Sequence, residues 1–67
     1  MAKLSELEIE NRFTFIKPWE GWPLDTVFVF YGRTDVFVYG PNAFDICVEG
    51  REKDYLLIVE NMEVNKC

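Results

Sequence analysis

The sequence predicts an all-β fold, and three observations carry the prediction. Short runs alternate apolar with polar residues or are rich in Val, Ile, Phe and Tyr, which fit a pleated, half-buried surface. Single Gly and Pro residues separate those runs, and no long window keeps a helical period. Apolar residues make up 49% of the 67 and aromatics 16%, enough for one small core and too much for a disordered chain. A single domain over residues 1–67 follows.

The elements are justified in chain order. Leu4-Ser5-Glu6-Leu7-Glu8-Ile9 places Leu4 and Leu7 a helical step apart but Ile9 out of step, so it reads as one turn or an extended lead-in. Arg12-Phe13-Thr14-Phe15-Ile16-Lys17 alternates as a strand and stops at Pro18. Residues 18–25, with Trp19 and Trp22 between two prolines and Gly21, form a loop. Thr26–Tyr31 and Asp35–Tyr39 flank Gly32-Arg33-Thr34 and are expected to pair as a hairpin. Period-two alternation then puts Phe28, Phe30, Phe37 and Tyr39 on one face of that hairpin, with a second apolar face behind them. Beyond Gly40-Pro41-Asn42, Phe44, Ile46 and Val48 alternate with Asp45, Cys47 and Glu49 as a half-buried strand. The polar run 49–54 is a turn, Tyr55-Leu56-Leu57-Ile58-Val59 suits a central strand, and Met62-Glu63-Val64 is a short last one. Strands this short need closure to remove their edges, so the expected architecture is a small SH3-like barrel of five to six antiparallel strands.

Composition narrows the chemistry. There is no His, which removes the commonest general base and metal ligand. Cys47 and Cys67 make no disulfide framework and are read as free thiols. Carboxylate pairs such as Glu52 with Asp54 or Glu60 with Glu63 fall on outward, solvated positions. No Cys-x-x-Cys, calcium loop or glycine-rich phosphate loop occurs; the glycines stand singly at 21, 32, 40 and 50. The expectation is a protein without catalytic residues, metal or cofactor. No apolar run approaches a membrane span, and with the free thiols this reads as a cytoplasmic protein.

What remains is surface. Net charge is −5, with the acids gathered towards both ends and only Arg12, Lys17 and Arg33 as bases in the middle. That field repels nucleic acid. The expected contact surface combines Trp19 and Trp22 with Phe28, Phe30, Phe37 and Tyr39, rimmed by Arg33 and Asp35, and its expected use is binding a protein partner. The tryptophans serve equally as a lid on the core. Two other uses of the same rings are a single-stranded nucleic-acid platform with Lys17 and Arg33, and a homodimer through the hairpin.

The stretch Leu4-Ser5-Glu6-Leu7-Glu8-Ile9-Glu10-Asn11-Arg12-Phe13-Thr14-Phe15, with Val/Phe strands behind it and Met62-Glu63-Val64 at the end, resembles small phage and bacterial barrel proteins. Those open on a leucine-rich turn and enter their first strand through Val-Gly-Asp; this chain has Ile9-Glu10-Asn11 there. The resemblance implies a barrel of phage-like origin that binds and modulates or inhibits a host protein.

Overall fold

A computed structural model describes all 67 residues. Six strands form one antiparallel sheet: β1 (Ala2–Lys3), β2 (Arg12–Phe15), β3 (Phe28–Arg33), β4 (Phe44–Val48), β5 (Leu56–Ile58) and β6 (Glu63–Lys66). Their order is β1-β6-β2-β3-β4-β5. Helical structure is confined to a 3-10 turn at Leu4–Glu6 and one four-residue turn, α1 (Val36–Tyr39). The chain is therefore all-β.

Strands β2 to β5 run as a meander, and β6 returns to the far side of β2. Only residues 59–62 join β5 to β6. In a flat sheet those strands would lie four spacings apart, about 19 Å. Five fully extended steps of chain reach only about 17 Å. The sheet must curl, which is the bend expected of a small barrel.

The curl encloses one core. Leu4, Phe13, Phe28, Phe44, Ile46 and Val64 are completely buried, and Leu7, Phe15, Phe30 and Ile58 nearly so. Every strand from β2 to β6 contributes to this cluster, because its inward positions carry a large apolar side chain. Phe28 is its hub, with ring centroids of Phe13, Phe15, Trp19 and Trp22 at 5.8, 5.0, 6.1 and 5.8 Å. The edge-on arrangement of Phe15, Trp19 and Trp22 about it is the one aromatic quadrupoles favour.

Two expectations are overturned. The hairpin between 26–31 and 35–39 does not form. Gly32, at φ 99°, is not a turn residue but part of a β-bulge: β3 pairs Phe30 with Ile46, then Arg33 with Phe44, so β3 carries an extra residue. Both sides of β3 are already taken, by β2 and β4, which leaves residues 35–39 no strand to join. They close into α1 instead. Asp35 caps it by accepting the Phe37 N–H at 2.9 Å, and Gly40, at φ 84°, ends it with its N–H on the Val36 carbonyl. The second correction concerns residues 55–59, which supply the edge strand β5 and not a central one; the strands buried on both faces are β3, at Phe28-Val29-Phe30, and β4, at Ile46-Cys47. Leu56 is half-buried and Ile58 faces the core, while Tyr55, Leu57 and Val59 are exposed.

Candidate functional site

The eight residues expected on one docking surface separate along β3. Phe28 and Phe30 belong to the core, 0% and 4% exposed, because alternate positions of β3 face inward. Trp19 and Trp22 sit near the start of β3, half-buried against Phe15 and Phe28, and the Trp22 N–H donates to the Trp19 carbonyl at 3.0 Å. They cover one end of the core, the lid arrangement. Arg33, Asp35, Phe37 and Tyr39 lie at and beyond the other end of β3, at least five residues from Phe28, a strand length of about 17 Å. The structure thus brings Arg33, Asp35, Phe37 and Tyr39 together in one connection and detaches them from the tryptophans.

That end of the molecule has two parts. One is α1, where Val36, Phe37, Val38 and Tyr39 are all exposed and Phe37 is 97% exposed. Four consecutive apolar residues on a single capped turn cannot all face inward: the fold covers about half of Val36 and Tyr39 and leaves Phe37 and most of Val38 in solvent. The other is a shallow depression of about 520 Å³ lined by Leu7, Glu8, Ile9, Phe30, Arg33 and Phe44 among others. Arg33 lies over the Phe44 ring at 6.0 Å, a cation–π contact that anchors the guanidinium at the rim.

The opposite rim is built by the turn at 8–11. Asn11 accepts the Glu8 N–H through its side chain at 2.9 Å and donates its own N–H to the Glu8 carbonyl at 3.0 Å. Glu10 donates to the Phe30 carbonyl at 2.7 Å with φ at 74°, in the left-handed region. Pinned this way, Ile9 stands over Gly32: a Cβ built on the glycine would lie 3.6 Å from its side chain. Ile9, Val36 and Val38 escape sequence reasoning because period-two alternation puts 36 and 38 on the second face of a hairpin, behind Phe37 and Tyr39, and Ile9 is out of step with Leu4 and Leu7. The available signal was Asp35 followed five residues later by Gly40, an N-cap and a C-terminal glycine bracketing a single turn.

The outward face of the sheet carries different chemistry. Cys47 is buried there opposite Val29, with Tyr31 nearby and the Tyr31 and Tyr55 rings edge to face at 5.4 Å. Burial pushes the Cys47 thiol up; Glu52 adds to the rise and the Tyr31 hydroxyl offsets part of it. Tyr31 is raised as well, first by burial and then by Cys47. The raised pKa disfavours the thiolate, which is the reactive form of a cysteine. Arg12 and Glu49 form an ion pair on the same face. No three Cys, Asp or Glu side chains converge as a metal site, and no helix is long and apolar enough to cross a membrane.

With Phe28 and Phe30 inside, the rings offer no continuous platform for stacking bases, and the homodimer loses the hairpin it was to use. Comparison with protein-family models, with curated proteins and with solved structures finds no match to this chain. Fold and site together describe a small all-β protein that presents an apolar helical turn beside a shallow groove.

Proposed function

We propose that the chain is a non-catalytic protein-binding module that docks through α1 and the adjoining groove. One observation carries the reading: four consecutive apolar side chains, Val36 to Tyr39, project from a turn fixed at both ends by Asp35 and Gly40. Exposing them costs solubility with no return in folding, whereas a partner that buries them gains the hydrophobic free energy. Fixing the turn in advance lowers the ordering cost of docking. Arg33 and Glu8 flank the groove and supply charged rim contacts. The resemblance of residues 4–15 to small phage barrel proteins extends the proposal to a modulator or inhibitor of a host protein in the cytoplasm.

The test is affinity capture with three forms of the full chain: wild type, Phe37→Ser with Tyr39→Ser, and Trp19→Ala with Trp22→Ala. Burial of a Phe side chain is worth about 1.5–3 kcal/mol, so removing it weakens binding roughly 10- to 150-fold. The expected result is a partner retained by wild type and lost by the α1 variant, with the variant's urea midpoint unchanged. Capture of every partner by the α1 variant at wild-type recovery refutes the docking role of this turn.

A further inference from the structure

A separate surface, the open edge of β5, carries an inference independent of α1. In β3–β4 the Glu49 N–H donates to the Val27 carbonyl at 2.9 Å, which makes Val29 and Cys47 a hydrogen-bonded pair. Alternation along β4 then turns the backbone groups of Ile46 and Phe44 towards β5, where their register partners are Leu56 and Ile58. The N–H and C=O of Leu57 therefore point away from the sheet, and those of Tyr55 and Val59 follow the same alternation. None of the three donates or accepts a backbone hydrogen bond outside the strand ladder. Tyr55, Leu57 and Val59 are 59%, 41% and 61% exposed. No Pro or Lys interrupts residues 55–59, so this edge lacks the usual protection against strand addition.

We infer that the β5 edge accepts an extended segment of a partner protein in which apolar residues alternate with Lys or Arg, added antiparallel as a seventh strand. Charge selects that occupant. Asp45 pairs with Leu57 on β4, and Glu52, Asp54 and Glu60 flank the strand, against Arg51 and Lys53. A second copy fits poorly: a two-fold axis at Leu57 sets Asp54 against Glu60 of the copy twice. A strand pair of about five residues also falls far short of the roughly 1,200 Å² that stable dimers bury. The added backbone hydrogen bonds give affinity and the exposed side chains give register, as in strand addition generally.

Amide hydrogen exchange on the full chain tests this, with a seven-residue peptide alternating Lys and Val as probe and its Glu–Val counterpart as control, each at millimolar concentration. The free chain is expected to exchange Leu57 fast and Leu56 and Ile58 slowly. The Lys–Val peptide slows Leu57 about tenfold, as a ligand at roughly ten times its Kd requires, and the Glu–Val peptide does not. Leu57→Pro removes the outward N–H without touching a β4 bond and abolishes the slowing that the peptide brings to the outward amides of Tyr55 and Val59; if that variant unfolds, Tyr55→Ser with Val59→Ser abolishes the slowing at Leu57. A Leu57 amide already protected in dilute protein overturns the inference, as does no slowing by the Lys–Val peptide or equal slowing by both. Slowing that grows with chain concentration alone makes a second copy the occupant and overturns it too. Chemical-shift changes at 55–59 report this edge and those at 36–39 report α1, so each reading fails by itself.

Discussion

Phe28→Ala and Phe37→Ala make the same chemical change at two positions that a hairpin would place on one face, and the structure predicts opposite outcomes. Phe28 is fully buried among four aromatic rings. Truncating such a Phe costs about 3–5 kcal/mol in lost transfer energy and cavity. A domain this small rarely has more than about 3–5 kcal/mol of stability in total. Phe28→Ala should therefore be largely unfolded at 25 °C without denaturant. Phe37 is 97% exposed and touches no core residue, so its truncation should lie within about 0.5 kcal/mol of wild type. Urea titration followed by tryptophan fluorescence measures both, since Trp19 and Trp22 flank Phe28 and their emission shifts to the red when the core opens. A Phe37→Ala chain destabilised by more than 2 kcal/mol, with Phe28→Ala near wild type, would mean that residues 35–39 pack as a strand and that the assignment of α1 is wrong.

Other expectations follow from local geometry. Glu10 holds a left-handed φ of 74°, which costs a non-glycine residue about 1–2 kcal/mol, partly offset by the freedom glycine adds to the unfolded chain; Glu10→Gly should raise stability by about 0.5–1 kcal/mol in a thermal melt, and a lower Tm refutes the strain. Gly32 sits at φ 99° in the bulge, so Gly32→Ala should cost about 1–3 kcal/mol through the backbone, although Ile9 leaves room for the methyl; a neutral substitution would show the bulge to be dispensable. Cys67 is exposed and Cys47 buried with a raised pKa, so a thiol reagent at pH 8 should label only Cys67 in the native chain and both in urea. The native state holds the Cys47 and Tyr31 protons to higher pH than the unfolded chain does. Stability should stay level below the ordinary thiol range near ~8.5 and decline as pH rises through it and beyond, which urea midpoints from pH 7 to 11 would check. Midpoints that rise over that range refute the burial of these groups.

Much of the fold was legible in the residues. The β character, a strand from Arg12 ended before Pro18 (its pairing stops at Phe15, two residues earlier than the alternation through Lys17), the irregular Trp19–Trp22 loop, the strand at Phe44–Val48 and the polar turn before β5 all rest on local signals, namely alternation, missing donors and turn residues. Those signals act within a few residues, and at these positions the tertiary pairing agrees with them. The turn at 9–11 is also fixed locally: Glu10 takes a positive φ, and the Asn11 side chain accepts the Glu8 N–H.

The candidate site was less legible because it depends on pairing. Val36-Phe37-Val38-Tyr39 has every β-forming preference and still closes into a helical turn, since β2 and β4 occupy both edges of β3. Likewise, Tyr55–Val59 has the continuous apolar composition of a central strand and lies at the edge. Composition and short-range pattern determined that this chain builds one aromatic core from short strands. Which apolar residues fill that core and which are left in solvent was decided by the order of the strands, because each strand has only two edges and a segment that arrives third must find another conformation.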